Sequence, residues 1–176
     1  MKKLFMIMIF FILSGCISVP QKSTSTGAIE LQGLFAIVTP KSNQSGHFIW
    51  EQAGSADFSL ELYGPLGLGA TTLIQQNGLV TLETDQGKKY TATSPEALLQ
   101  NTLGWSMPIH GMLYWLLGIP VPTVPFSAQY NAVKQISDLT QSGWQIHYQW
   151  GVGAIYPERI VMQRQSIRLI VLISSS

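Results

Sequence analysis

Cys16 is the only cysteine of the chain, and it follows Leu13-Ser14-Gly15 at the end of a short apolar run that Lys2 and Lys3 open. A thiol in that setting points to acylation. Lys2 and Lys3 form a basic n-region, Leu4 to Leu13 is an uncharged apolar stretch of ten residues, and Ser14-Gly15 supplies the small residues a cut site needs. Ten residues are about half of what crosses a bilayer, so the segment reads as a cleaved export signal over residues 1–15 rather than a transmembrane helix. Its end resembles the bacterial lipobox, in which the thiol receives diacylglycerol, the chain is cut just before it and the new amino terminus is acylated. An exported chain built on disulfides would carry an even set of cysteines, and a lone one forms no internal bridge. Two or more acyl chains, at about 0.8 kcal/mol per buried methylene, hold a protein stably on a membrane. Cys16 is therefore the expected lipid attachment site.

The other residues capable of chemistry form no constellation. His47, His110 and His147 lack the close spacing of a zinc motif. There is no Gly-x-Ser-x-Gly elbow, and the nine acids are too dispersed to suggest a carboxylate pair. Gly64-Pro65-Leu66-Gly67-Leu68-Gly69 has no Lys-Ser or Lys-Thr and precedes a strand rather than a helix, which argues against a phosphate loop. It reads as a connector carrying apolar side chains. Leu66 or Leu68 either tucks back into the core or projects towards a partner or bilayer. Neither an enzyme, a metal nor a cofactor is expected.

Removing Lys2 and Lys3 changes ten basic residues against nine acidic to eight against nine, so no basic stripe is available for nucleic acid. Only 11% of residues are charged and 46% are hydrophobic, which leaves apolar surface in search of a destination. Between Glu96 and Lys134 there is no Asp, Glu, Lys or Arg, while Trp105, Met112, Trp115 and Phe126 fall inside that stretch. Glycines and prolines cut it into pieces too short to span a membrane. Protein, ligand or a membrane interface must shelter it.

These residues have to be positioned by a single domain over 29–176, preceded by a polar tether over 16–28. Twelve flexible residues, Ile17 to Ala28, would reach roughly 20 Å. Ile29 to Val38, Gly46 to Gln52, Asp57 to Tyr63, Ala70 to Gln75, Leu79 to Thr84 and Lys88 to Thr93 read as short strands. Asn77-Gly78 is the strongest hairpin signal. Ser94 caps a helix with Pro95 in its first turn and Gly104 as its stop. A second helix runs from about Pro108 to Leu117, with Ile109, Met112, Leu113 and Leu116 as its stripe and Trp115 and Leu117 off it. After the connector Gly118 to Pro125, Gly143 to Trp150, Glu158 to Gln163 and Ser166 to Ile173 are strands. The order of strands, helices, strands predicts an antiparallel sheet curled into a barrel or half-barrel, with the helices over its mouth or open side.

Four segments together resemble the LolB family. They are Phe48-Ile49-Trp50-Glu51-Gln52, Leu60-Glu61-Leu62-Tyr63-Gly64-Pro65-Leu66-Gly67, Gly104-Trp105-Ser106-Met107-Pro108 and Leu113-Tyr114-Trp115-Leu116-Leu117-Gly118-Ile119-Pro120. The resemblance covers most of the mature chain. It implies a mainly β fold, an incomplete, half-open antiparallel β-barrel whose apolar cavity is covered by short helices. It also implies an outer-membrane lipoprotein that accepts acylated lipoproteins from the periplasmic carrier LolA and inserts them into the inner leaflet of the outer membrane. The implied partners are LolA, the acyl chains of cargo lipoproteins and that leaflet, with the protein acting as a monomer. Leu66 matches the family's protruding loop leucine, and Cys16 its anchor. Ile17 follows the cysteine where the inner-membrane retention signal would be Asp, so the outer membrane of a Gram-negative bacterium, facing the periplasm, is the expected location.

Trp50, Leu60, Leu62, Met112 and Trp115 are the expected cavity or lid residues, and Leu66 and Leu68 the membrane-insertion loop. Two departures stand out. Leu34 follows Gly33 where many members carry arginine, and Ile173-Ser174-Ser175-Ser176 lacks an aromatic residue near its end. Both bear on the packing of the first and last strands. Two other functions fit the residues alone: an anchored carrier of free lipid or glycolipid, and a scaffold lipoprotein with a filled core.

Overall fold

The computed structural model describes residues 29–54, 56–65, 69–103 and 107–174. The export signal, Cys16, the tether, Leu66, Leu68 and the Gly104 helix stop lie outside the described residues. The strands are β1 (Ile29–Val38), β2 (Asn43–Ala53), β3 (Asp57–Tyr63), β4 (Thr71–Gln76), β5 (Leu79–Thr84) and β6 (Lys89–Ala92), then, after two helices, β7 (Phe126–Tyr130), β8 (Ile136–Gln141), β9 (Trp144–Gln149), β10 (Arg159–Arg164) and β11 (Ile167–Ile173). The helices are α1 (Pro95–Leu103) and α2 (Ile109–Leu116). All the strands pair antiparallel in one sheet ordered β6-β5-β4-β3-β2-β1-β11-β10-β9-β8-β7.

The first and last strands are thus the middle of the sheet. The chain meanders outward from β1 to β6, crosses through α1 and α2, and meanders back from β7 to β11, so the helices fall between the two unpaired edges. This is the unclosed barrel with a helical cover. Side chains alternate because successive residues of a strand point to opposite faces. In β1, Leu31 and Ile37 are buried while Leu34 and Val38 are exposed; in β9, Trp144, Ile146 and Tyr148 are buried against exposed Gln145, His147 and Gln149. Asn77 and Gly78, at φ 52° and 78°, make the expected tight turn between β4 and β5, and the Asn77 N–H donates to Asp57 Oδ1 at 3.1 Å.

Glycines let neighbouring backbone approach closely at two positions. A Cβ on inward-facing Gly33 would collide with the Leu172 carbonyl, and one on Gly46 with that of Tyr63; the Phe48 ring covers Gly33 from the neighbouring strand. The β1–β11 pair runs without interruption from Gly33 opposite Ile173 to Val38 opposite Arg168. Leu34 lies on the outer face beside Leu172, and the Ser174 N–H donates to the Gln32 carbonyl. Among the described residues, the central seam is continuous past Leu34 and up to Ile173.

Antiparallel pairing also sorts the connections between two ends. The turns after β1, β3, β5, β8 and β10 share one end, and the start of β1 shares the other with the turns after β2, β4, β7 and β9.

Candidate functional site

The inner faces of β1 to β5 and β11 line a cavity that α1 and α2 roof. Trp50 and Phe48 come from β2, Leu60 and Leu62 from β3, Leu99 from α1, and Ile109, Met112 and Leu116 from α2. Every lining side chain is apolar except the Thr71 hydroxyl. The free volume is only about 50 Å³. An apolar cavity of about 150 Å³ binds a ring as small as benzene. The space as it stands is too small for an acyl chain, which could enter only if the roof and walls part.

A second space of about 210 Å³ lies between α2 and the rim of β1 to β3, bordered by Ile29, Gln52, Phe58, Leu113, Tyr114 and Leu117. Trp50 and Ile109 border both spaces. The Trp50 ring stacks on Phe58 with centroids 5.1 Å apart, and its Nε1–H donates to Gln52 Oε1 at 3.2 Å. Trp50 is thus a partition between the inner cavity and the rim, held by one aromatic contact and one hydrogen bond.

The roof is fixed at two places. At the C-terminal half of α2, Gln141 of β8 is buried and makes four hydrogen bonds. Its Oε1 accepts from Trp115 Nε1 and the Val121 N–H, both at 2.9 Å, and its Nε2 donates to the carbonyls of Val121 at 3.0 Å and Val124 at 2.9 Å. The Trp115 ring meets Trp144 of β9 with centroids 6.1 Å apart. At the other end, Pro108 gives α2 no side-chain cap. Glu96 of α1 serves instead: its Oε1 accepts from the His110 N–H at 3.4 Å and lies 3.1 Å from His110 Nδ1, while its Oε2 accepts from the Ser94 hydroxyl at 2.9 Å. Burial pushes the Glu96 carboxyl up, but its own backbone N–H, Ser94 and His110 outweigh that and hold it below the ordinary value. Ser94 caps α1, accepting from the Ala97 N–H at 3.3 Å.

Trp50, Leu60, Leu62 and Met112 lie together on the cavity wall. Trp115 is on the roof helix and fully buried, but it engages Gln141 and Trp144 rather than bordering the cavity. The buried face of α2 differs from the expected stripe: Leu113 is half-buried at the rim, and Trp115 joins Ile109, Met112 and Leu116 inside. The partners of a helix roofing a curved sheet surround more than one stripe of it. Gln141 was not singled out from the sequence, and Glu96 and Ile109 were not among the expected site residues. Uninterrupted alternation through Phe48, Trp50 and Gln52 marks the β2 wall, but nothing local marks Gln141, whose partners are 17 to 26 residues away.

The family model described as "Outer membrane lipoprotein LolB" matches residues 27–175. The chain is 34% identical to the outer-membrane lipoprotein LolB of Pseudomonas syringae pv. syringae, over 84% of this chain and 73% of that protein. It has the same identity and coverage with the LolB of Pseudomonas aeruginosa. With that of Francisella tularensis subsp. tularensis it is 31% identical over 83% of this chain and 72% of that protein. The crystal structure of a LolA superfamily protein from Nitrosomonas europaea superposes with a TM-score of 0.47 and 9% identity, over 83% of this chain and 84% of that one.

Proposed function

This chain belongs to the LolB family, the outer-membrane lipoproteins that act as receptors in the Lol lipoprotein-sorting pathway, and from that premise we propose how its parts carry out the transfer. The cavity beneath α1 and α2 receives the acyl chains of a cargo lipoprotein from the carrier LolA. The loop with Leu66 and Leu68 then carries them into the inner leaflet of the outer membrane. The observation that supports this reading is the cavity itself, lined by apolar side chains except for Thr71 and roofed by α1 and by α2, the latter bearing no Asp, Glu, Lys or Arg.

Exposing an acyl chain to water costs about 0.8 kcal/mol per methylene, so the chains must pass from one apolar enclosure to the next. Direction then comes from affinity: the opened cavity holds the chains more tightly than the carrier does, and the bilayer more tightly still. No bond is made or broken on the cargo, and the protein acts as a monomer. Cys16 carries the lipid that holds the domain, residues 29–176, at the membrane through the 16–28 tether. Trp50, Leu60, Leu62 and Met112 contact the chains, and Trp115 keeps the roof seated. The family does not favour an anchored carrier of free lipid.

The experiment uses a form lacking the Cys16 anchor, with a photo-crosslinking residue at Met112 or Leu62, mixed with LolA loaded with labelled lipoprotein. Label on both positions, and none on the same residue placed at exposed Gln145, is the expected result. Label that stays on the carrier while this domain is folded would sink the proposal. Leu66→Glu should leave acceptance intact and stop delivery to vesicles.

A further inference from the structure

The connection between β9 and β10, residues 150–158, carries Val152, Ile155 and Tyr156 outward. Val152 is fully exposed and Ile155 is 81% exposed, and the sequence Trp150-Gly151-Val152-Gly153-Ala154-Ile155-Tyr156-Pro157 has no charge. Val133, on the turn between β7 and β8, is 73% exposed. Gln135 Nε2 on that turn donates to the Ala154 carbonyl at 3.5 Å, so the two connections form one surface. Single exposed apolar residues are ordinary; three on two linked loop tips, where polar residues are usual, are not.

The tip is built into the fold. The Ala154 N–H donates to the Gly151 carbonyl, Gly153 sits at φ 72°, and Gly151 packs so closely on the Glu158 carboxylate that a Cβ would collide with it. The same loop flanks the start of β1: Ile155 and Tyr156 line a groove with Glu30 and Leu31. The chain therefore leaves the domain beside this tip, and only twelve residues separate Ile29 from Cys16. Those twelve span at most about 40 Å when fully extended. The anchor end of the barrel therefore stays within about 40 Å of the acylated residue.

We infer that Val152, Ile155 and Val133 form a second membrane-contacting surface, which seats the anchored domain on phospholipid between deliveries. This rests on the lipid anchor proposed above. The occupant is a bilayer rather than a protein because the acylated residue tethers the domain to lipid by this end, which lies nearest the anchor along the chain. Uncharged apolar tips with Tyr156 behind them and Lys134 beside Val133 suit the boundary between acyl chains and phosphates. Two acids border the groove, Glu30 and Glu158, the latter with its carboxylate packed on Gly151 at the base of the tip.

The test uses the acylated protein in vesicles of phosphatidylethanolamine and phosphatidylglycerol containing lipids with brominated acyl chains. Val152→Cys or Ile155→Cys carries an environment-sensitive fluorophore, with Gln86→Cys at the opposite end as the control. A blue shift and loss of emission at 152 and 155, absent at 86, is the expected result. Protein that floats with the vesicles while both tip labels emit as in water overturns this inference and leaves the proposed function standing. Protein that does not float overturns the anchor, and with it both readings. Shielding of the tip labels by LolA without vesicles would make this a protein-docking surface and overturn the inference as well.

Discussion

Gln141 is a polar side chain 1% exposed, and it is tolerated because both its donors and both its acceptor sites are occupied. Gln141→Leu keeps the approximate volume and strands four groups: Trp115 Nε1–H, the Val121 N–H and the carbonyls of Val121 and Val124. At about 1–3 kcal/mol for each group left buried, relaxation of the connector still leaves a loss of about 3 kcal/mol or more in urea unfolding. A loss under about 0.5 kcal/mol would show that water reaches this site freely, and that the roof is not pinned there. Glu96 makes a weaker, titratable brace. Its folded carboxyl lies below its ordinary value, so its contribution is present above the unfolded value and is lost as pH falls through the folded one. Glu96→Ala should cost about 1 kcal/mol at neutral pH, as the loss of a helix cap does. The gap between parent and variant should close on acidification below the carboxylate range. Unfolding curves at several pH values decide it, and a gap that stays constant would remove the charge from the explanation.

Among the elements, strands of the first meander were the most legible. β1, β3 and β5 coincide with the segments read from their alternation, because one face meets the core and the other water. No strand was assigned to Phe126–Tyr130 or Ile136–Gln141. β7 is an edge strand with little burial on either face, and β8 carries a register shift opposite Gln129 and Tyr130, so neither keeps a clean period. The cavity wall was partly legible for the same reason: Trp50, Leu60 and Leu62 follow from strand alternation, whereas the roof's attachments depend on contacts distant in sequence. One connector residue exposes that dependence. Gly118 ends α2 at φ 74°, and a Cβ there would stand 2.5 Å from the Trp150 ring, whose Nε1–H donates to the Ile136 carbonyl at 2.7 Å. Gly118→Ala should therefore cost well over the roughly 1 kcal/mol of backbone strain alone. It should also change the near-ultraviolet dichroism as Trp150 is displaced. Parent-like stability and spectrum would mean that the connector shifts freely, and that the C-terminal end of α2 is not a fixed point.

At the scale of the whole molecule, Ile29, where the proposed tether joins, and Pro65, where the proposed insertion loop begins, are at opposite ends of the sheet. The chain enters at Ile29, and Pro65 leaves the sheet at the far end, beside Tyr63. β1 has ten residues and alone spans about 33 Å. The twelve residues from Ile17 to Ala28 reach at most about 40 Å, so they are long enough to let the domain turn its far end to the membrane, with little to spare. Acceptance from a soluble carrier makes no such demand, since the cavity can be met in any orientation. Deleting six of the twelve residues caps the span at about 20 Å, short of the length of β1. The shortened protein should take cargo from LolA at the parental rate and deliver it to the vesicle that holds it far more slowly. Restoring the length with a Gly-Ser segment of unrelated sequence should restore delivery, because only reach is being supplied. Equal delivery by the short and full-length tethers would mean that cargo leaves from the anchor end, and the loop at Leu66 would then have no part in insertion.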